Sequence, residues 1–550
     1  MYVDESTKTE NGRSYTRSLL RRSIWKDGKC TKETVANISD CTEEEIAVIR
    51  VALRKKEAVL ALADEHDLVD VRQGLSVGAV LCLEQIAQRL GIKQALGKSR
   101  QGKLALWQVM ARVVGRGSRL QAVRLGKTHA VCDILGLEAF NEDHLYENLD
   151  WIERNQAGIE DRLYRYRHGE ESTEFFLYDV TSSYLEGQCN DYAAFGYNRD
   201  GKKGKMQVVV GLLCDDEGIP VSSQVYEGNR QDTTTYGDQV QKVATRFGGG
   251  EVTCVGDRGM IKGPQIRETL EHGFHYITGI DKSQIRSLIK KGIIQMGLFD
   301  EQLSEITRED GTRLILRRNP IRQEQMRCTN EDKLAALREL AEKKTTYLQE
   351  HSRAQEEVAV RNVRQKAEAL NIAEWVDVQC SQRRVEVNVV GSARQEAQKL
   401  DGCYVLLTDL PASRAPMETV HDRYKDLTRV ERAFRTSKSI DVELRPIFLR
   451  RAQRTRAHVL VCMLSYMIVQ ELQKCWQDLN CTVNDGIAAL STLCCTEVLV
   501  AGKPQFSLVP QPEDTNRKLL EAADIKMPKH FRCSGIKLDT RKKLQERRKG

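Results

Sequence analysis

The stretch between residues 174 and 281 alternates short apolar runs with turn signals and helical patterns, and this alternation restricts the possible folds. The strand-like runs are FFLYDV (175–180), MQVVVGLLCD (206–215), IPVSSQVYEG (219–228), EVTCVGD (251–257) and FHYITGID (274–281). Helical patterns over residues 233–247 and 264–272 separate the last three runs. The order β-β-β-α-β-α-β predicts an antiparallel meander that continues through crossover helices into one mixed sheet.

Asp179 directly follows the apolar residues of the first run, and Asp257 ends the fourth run. If the strands are neighbours, their ends lie roughly 5 Å apart, and two carboxylates that close repel unless a cation lies between them. Oxygen-only ligands favour Mg²⁺ or Mn²⁺ over zinc. A third acid, Glu431, stands one residue away from an apolar stripe on a predicted helix. Each acid alone is common as a turn former or surface residue, so the prediction of a metal site depends on the three together.

The sequence outside residues 174–281 predicts further helices, a hairpin and the boundaries of six regions. Apolar and extended runs around Lys26-Asp27-Gly28 predict a hairpin, and a helix is capped near Ser39 and continues to about Ala63. The helix pair 83–92 and 104–114 fits either a helix-turn-helix or an ordinary αα-hairpin. The predicted regions are residues 1–75 (hairpin plus helix), 76–170 (helical), 171–281 (first part of the sheet domain), 282–411 (an inserted segment), 412–475 (last part, with the Glu431 helix) and 476–550 (C-terminal region with a basic tail).

The charge distribution, the cysteine pattern and the apolar runs indicate which partner and which cellular compartment to expect. The net charge is +7, and residues 526–550 carry ten Lys or Arg against two acids, which suits a polyanionic partner. The 16 cysteines form no C-x-x-C pair, which is typical of free thiols in a reducing cytoplasm. The N-terminus lacks a signal segment, and the apolar run 459–469 is too short to span a bilayer, so no membrane association is expected.

The three acids resemble the DDE triad of bacterial insertion-sequence transposases, which share an RNase H-like fold with retroviral integrases. The third block is similar to the signature Y-x2-R-x3-E-x6-K of one transposase branch: Tyr424, Glu431 and Lys438 fall on its Tyr, Glu and Lys, whereas Leu427 replaces its Arg. Further matching blocks are GYNRDGKKGKMQVVVGLL (196–213), GIPVSSQVYEGNRQD (218–232), GDRGM (256–260) and RPIFLRRAQRTRAHVLVCML (445–464).

The resemblance covers roughly residues 174–474, and less specifically the N-terminal region. It implies an α/β fold: an RNase H-like mixed sheet flanked by helices, with an inserted α+β segment before the catalytic glutamate helix and a mainly helical N-terminal DNA-binding region.

The resemblance also implies a chemistry and a set of partners. Two Mg²⁺ ions, replaceable by Mn²⁺, would be held by Asp179, Asp257 and Glu431, which are both the catalytic and the metal-binding residues. The enzyme would cut DNA at the ends of its element and join them to target DNA, in the cut-and-paste manner. The partners implied are the terminal inverted repeats, target DNA and a second copy of the chain in a synaptic homodimer. The location implied is the bacterial cytoplasm, at the nucleoid.

Several further residues are expected to contact DNA. The resemblance assigns this role to Arg258, Tyr424 and Lys438, and Arg435 lies beside the glutamate on the same helix. Lys202 and Lys203 belong to a basic, glycine-flanked loop that is either a DNA contact or a solvated turn. Trp375 is either the aromatic that stacks on a flipped base or a core residue. In the N-terminal hairpin, Arg17, Arg21, Arg22 and Lys26 are available for phosphates.

Three other functions compete with this interpretation. One is a regulator derived from a transposase that binds DNA without cutting it. Another is an RNase H-like nuclease, such as a resolvase, without strand transfer. A small-molecule hydrolase on a doubly wound sheet is disfavoured, because the chain has no phosphate-cradling glycine loop of recognised spacing.

Overall fold

The computed structural model describes residues 1–10, 13–26, 28–56, 69–169, 173–187, 189–247, 251–438, 442–500, 503–531 and 534–540. Asp27 of the predicted hairpin turn, residues 57–63 of the first predicted helix and residues 541–550 of the basic tail lie outside these ranges.

The strands are β1 (Tyr2–Glu10), β2 (Arg13–Lys26), β3 (Lys29–Asn37), β4 (Val69–Ser76), β5 (Phe175–Tyr184), β6 (Gln207–Cys214), β7 (Pro220–Glu227), β8 (Thr253–Gly256), β9 (His275–Gly279), β10 (Ser304–Thr307), β11 (Arg313–Arg318), β12 (Val376–Ser381), β13 (Arg384–Val389), β14 (Cys403–Thr408), β15 (Cys494–Val500), β16 (Lys503–Leu508) and β17 (His530–Phe531).

The α-helices are α1 (Glu43–Arg54), α2 (Gly78–Arg89), α3 (Ile92–Leu96), α4 (Arg100–Val114), α5 (Arg119–Thr128), α6 (Val131–Leu135), α7 (Glu142–His168), α8 (Asp232–Lys242), α9 (Gly263–Glu271), α10 (Lys282–Lys290), α11 (Pro320–Glu350), α12 (Glu356–Ala369), α13 (Gly391–Gln398), α14 (Met417–Lys425), α15 (Leu427–Lys438), α16 (Ala452–Cys475), α17 (Val483–Ser491) and α18 (Asp514–Ala522).

The chain folds into two compact units. One, here called the sheet unit, contains Leu90–Gly97 and Tyr146–Met467. The other, here called the split unit, is built from three separate segments of the chain, Met1–Arg89, Lys98–Leu145 and Ile468–Gly550. The regions predicted as 1–75 and 476–550 thus contribute to one and the same unit.

The sheet unit is organised around an eight-stranded sheet with the strand order β10-β11-β14-β9-β8-β5-β6-β7. Strands β5, β6 and β7 form the antiparallel meander, β8 is parallel to β5, and β9 is parallel to β8. Strand β6 is buried along its whole length, as expected where both faces of a sheet are covered. The predicted large mixed sheet flanked by helices is therefore confirmed.

The inserted segment is shorter than predicted. Residues 282–411 contain β10, β11 and β14, which pair within the eight-stranded sheet. Strands β11 and β14 are adjacent and antiparallel. Directly beyond them, the backbone N–H of Asn319 donates a 2.8 Å hydrogen bond to the backbone carbonyl of Gly402. The segment that interrupts the sheet is therefore 319–402. Its boundary was missed because hydrophobic pattern identifies a strand but not its partner some 90 residues away.

The 319–402 segment has its own hydrophobic core. Helices α11 and α12 pack on the β12–β13 hairpin, and Leu337, Val363, Ile372 and Trp375 are among the buried residues. Trp375 is only 3% exposed, and the guanidinium of Arg394 lies 5.3 Å from its ring centroid. The Trp375 side chain is thus part of the hydrophobic core of this segment.

Trp375→Ala is expected to destabilise the segment by about 3–5 kcal/mol, because it removes the largest side chain of this small core and leaves a cavity. Hydrogen–deuterium exchange of α11 and α12 would report the change as a loss of protection, while the amides of β5 and β6 keep theirs. Trp375→Phe, which keeps an aromatic ring, is the matched control and should cost less. Unchanged protection in the alanine variant would contradict this assignment.

The split unit contains two smaller sheets. Strands β1, β2 and β3 form an antiparallel sheet that includes the predicted hairpin, and Thr42 caps α1 with Glu45 in a capping box. Strand β4 pairs with β15 in a second sheet of order β17-β16-β15-β4. Helix α17 packs against α2 and α4. Strand β4 was not predicted, because its partner lies more than 400 residues later in the chain.

The structure decides between the two interpretations of the 83–114 region. Helix α4 has eleven buried residues, and Trp107 is fully buried. A recognition helix needs an exposed face for the DNA groove. Helix α4 is therefore a core helix of a bundle. Within the described ranges, no helix is both long enough and apolar enough to cross a membrane.

Candidate active site

The topology of the sheet brings two of the predicted acids side by side. Strands β5 and β8 are adjacent and parallel, and Tyr178 is the register partner of Gly256. Asp179 is the next residue of β5, which continues to Tyr184 and so does not end at this acid as predicted, and Asp257 directly follows β8. The two acids therefore lie next to each other where β8 ends beside β5. Each carboxylate accepts a backbone N–H: Asp179 from Val180 at 2.8 Å, and Asp257 from Arg258 at 2.7 Å.

The third acid comes from α15, which packs against β5. Leu427, Val430 and Phe434 are buried, as their helical spacing predicted, whereas Glu431 is exposed on the neighbouring face. Asp179, Asp257 and Glu431 line one cavity of about 520 Å³. The three predicted acids thus line a single pocket at the carboxyl end of β8, beside the middle of β5.

The pocket disfavours an isolated negative charge on Asp179. Burial raises the pKa of Asp179 to about 7, and the nearby carboxylates of Asp257 and Glu431 also raise it. The Val180 N–H and the Arg199 guanidinium act in the opposite direction without cancelling this rise. A cation placed among the three acids would stabilise the ionised form of Asp179.

The donor set fits a hard divalent cation, since all three groups are carboxylates. Nowhere in the described ranges do three His, Cys, Asp or Glu side chains already stand close enough together to hold a metal ion. The three acids therefore surround the cavity without converging on one point. The chemistry of the donors and the high pKa of Asp179 both fit a metal at this position.

Tyr424 contacts one of these acids directly. Its hydroxyl donates a 3.1 Å hydrogen bond to Asp257 Oδ1, and burial together with the Asp257 charge raises the pKa of Tyr424, so it remains a neutral donor. A Cβ at Gly279 would lie 2.8 Å from the Tyr424 hydroxyl. Glycine at position 279 therefore gives the tyrosine the room to reach Asp257. Arg258 is exposed next to this contact.

The predicted cations differ in how they are placed. Arg435 is exposed and lines the cavity. Lys438 also lines the cavity, but its ammonium donates to Thr181 Oγ1 at 2.7 Å and to Asp200 Oδ1 at 2.9 Å. Lys202 and Lys203 are exposed on the loop before β6, outside the residues that line the cavity.

The position of Trp375 corrects its interpretation as a base-stacking residue. The side chain lies inside the core of the 319–402 segment, and a base could not stack on it unless that core opened. The alternative, a core residue, is the one that the structure favours.

Sequence reasoning missed several residues of the cavity wall, among them Thr181, Asp200, Asp232 and Arg445. Asp200 precedes Gly201, and an Asp-Gly pair on its own indicates only a turn. Arg445 precedes Pro446 and looks like a loop residue. Both do fall inside blocks that match the transposase pattern, which was the available signal.

Comparisons with known proteins identify the family of this chain. A family model described as the transposase DDE domain matches residues 170–468. No curated protein matches the chain. Among solved structures, a cryo-EM structure of the piggyBac transposase synaptic complex with hairpin DNA is similar over 76% of this chain and 69% of that chain, with 9% identity and a TM-score of 0.34. A likeness of that degree carries no weight for the assignment, which depends on the family model alone. The matched region covers more than half of the chain and includes Asp179, Asp257 and Glu431, and the protein therefore belongs to the DDE transposase family.

Proposed function

We propose that this protein is a cut-and-paste transposase of the insertion-sequence type, which cleaves DNA at the ends of its element and joins them to target DNA. The observation that carries the proposal is the single cavity lined by Asp179, Asp257 and Glu431. The sheet order that places β8 beside β5 is consistent with an RNase H-like core, which we propose for the sheet unit.

Asp179, Asp257 and Glu431 are proposed to hold two Mg²⁺ ions, with Mn²⁺ as a substitute. Bound there, the metal would supply an activated water or 3′-hydroxyl and would stabilise the leaving oxygen of the phosphodiester. The protein's own groups prepare the site for this chemistry. The backbone N–H groups of Val180 and Arg258 and the hydroxyl of Tyr424 fix the orientation of the two aspartates.

The cations around the cavity are proposed to bind the DNA backbone. Arg258 and Arg435 are exposed beside the acids, and Lys438 forms part of the wall. Guanidinium and ammonium groups pair with phosphate oxygens through charge-assisted hydrogen bonds, which position the strand without reading its sequence. Lys202 and Lys203 would extend this basic surface from the neighbouring loop.

Recognition of the element ends is proposed for the split unit, which includes the basic N-terminal hairpin. There, Arg21 already pairs with Asp4, and Arg22 pairs with Glu33, so these two arginines are less available to DNA than their sequence alone suggested. Cut-and-paste transfer requires two ends in one complex, and we propose a synaptic homodimer acting in the bacterial cytoplasm on chromosomal DNA.

The test is a cleavage assay with the purified full chain and DNA that carries the terminal sequences of its element. We expect cleavage and strand transfer in Mg²⁺ or Mn²⁺ and none in EDTA, because the site consists of oxygen ligands. Binding without cleavage in any divalent metal would favour a regulator derived from a transposase. Cleavage without joined products would favour a nuclease that lacks strand transfer.

A further inference from the structure

A fourth acid of the catalytic cavity, Asp200, has surroundings unlike those of the triad. Its side chain is 2% exposed, and it lies on the loop between β5 and β6. Its Oδ1 accepts from the Lys438 ammonium at 2.9 Å and also from the guanidinium of Arg445. Its Oδ2 accepts the Tyr184 backbone N–H at 3.2 Å. One carboxylate therefore joins the end of β5, the end of α15 and the segment after α15.

These contacts disfavour Asp200 as a further metal ligand in this arrangement. Both of its oxygens are engaged by donors: one by two cations and the other by a backbone N–H. Because these donors already stabilise the negative charge of Asp200, its carboxylate gains little from binding a cation in the cavity. Its role therefore depends on the groups that it binds, which are Lys438, Arg445 and the Tyr184 N–H.

Lys438 is the group that Asp200 constrains most. The lysine side chain is 9% exposed, and its ammonium donates to Asp200 and to Thr181 on β5. Burial lowers the pKa of Lys438, and the hydrogen bond and charge of Asp200 oppose that fall. An ammonium has three N–H donors. Two are used by these contacts, which leaves one for a ligand in the cavity that Lys438 lines.

We propose that Asp200 is a positioning residue, which holds the Lys438 ammonium at the wall of the catalytic cavity so that its third N–H meets a phosphate of the DNA strand being cut. Arg445 and the Tyr184 N–H keep the carboxylate of Asp200 itself in place. Lys438 follows Glu431 by seven residues, or about two helical turns, on the same helix. Asp200 thereby also ties the far end of the glutamate helix to β5, which carries Asp179.

This inference rests on the proposed DNA cleavage, and a double-mutant cycle tests it. Asp200→Asn keeps the shape of the side chain but removes its charge. We expect the single-turnover cleavage rate at saturating DNA to fall about 10–100-fold, as a misplaced contact group would cause, with the Kd for the DNA end changed by less than about threefold.

The decisive comparison is the same change in a Lys438→Met background. If Asp200 acts through Lys438, then Asp200→Asn should lower the rate of the Lys438→Met protein by less than about threefold. A residue that merely stabilised the fold would lower the rate by the same factor in both backgrounds. Equal factors in the two backgrounds would overturn the proposal.

Asp200→Asn also leaves the largely buried Lys438 and the half-buried Arg445 without their partner, which could prevent folding. Asp200→Glu is the second variant: it keeps the charge but moves the carboxylate by one methylene, and it should show the same dependence on Lys438. Asp409→Asn is the matched control, because Asp409 accepts from His275 and from the Tyr276 N–H at the start of β9, at the opposite end of the strands from Asp257. Its cleavage rate should match the wild type. A wild-type chain that binds DNA without cutting it would overturn the proposed function, and this assignment with it.

Discussion

Asp179→Asn is expected to abolish metal-dependent DNA cleavage while the protein remains folded and still binds DNA. The amide has the shape of the carboxylate but carries no charge, so one of the three acids that surround the cavity can no longer bind a divalent cation as an anion. The loss should be at least about 10³-fold in single-turnover rate, comparable to or larger than the removal of one transition-state contact.

The thermal unfolding temperature separates this effect from misfolding. Burial and the neighbouring Asp257 and Glu431 disfavour a charge at position 179. Replacing that charge with a neutral amide should leave the unfolding temperature unchanged or raise it. Asp310→Asn, an exposed position in the turn between β10 and β11, is the control and should cut DNA normally. Cleavage near the wild-type rate by the Asp179→Asn protein would remove Asp179 from the active site.

Deletion of residues 476–550 is expected to unfold the split unit and to erase binding specific for the element ends. The deletion removes β15, β16 and β17, three of the four strands in the sheet that contains β4. It also removes α17, which packs against α2 and α4. Those helices would then expose the side chains that α17 covers, at a cost comparable to the roughly 5–15 kcal/mol of stability of a typical domain.

Limited proteolysis and footprinting on DNA ends would check this expectation. Sites within residues 78–135 should become susceptible to protease, and the end-specific footprint should disappear. Deletion of residues 541–550 alone is the control, since β4, β15, β16 and β17 all lie before residue 541. A protected 78–135 region in the longer deletion would show that the N-terminal segments fold without the later ones. An intact footprint would place recognition in the sheet unit.

The part of the site that follows from local pattern could be predicted. The apolar runs before Asp179 and Asp257 predicted two neighbouring strands that carry these acids, although β5 continues to Tyr184 and does not end at Asp179. The spacing of Leu427, Val430 and Phe434 placed Glu431 beside the buried face of its helix. Both features arise within a few residues of the acids themselves, where strand alternation and helical period operate.

What could not be predicted depends on partners that are distant in the chain. Lys438 was identified as a cation near the glutamate, but its pairing with Asp200 joins residues 238 positions apart. The pairing of β4 with β15 and of β11 with β14 is of the same kind. A single sequence shows that a segment is extended or charged, whereas its partner is decided by the fold as a whole.

The hydrogen bond between Asn319 and Gly402 has a consequence for how this chain can change over evolutionary time. The two ends of the 319–402 segment lie next to each other on adjacent antiparallel strands, in the position that a short hairpin loop would occupy. A single genetic event could therefore have added this segment, and another could exchange it for a turn of a few residues, with every strand of the eight-stranded sheet kept in register. Relatives with the same three acids can accordingly differ greatly in length at this one point, and a foreign domain whose termini lie close together could be spliced in there.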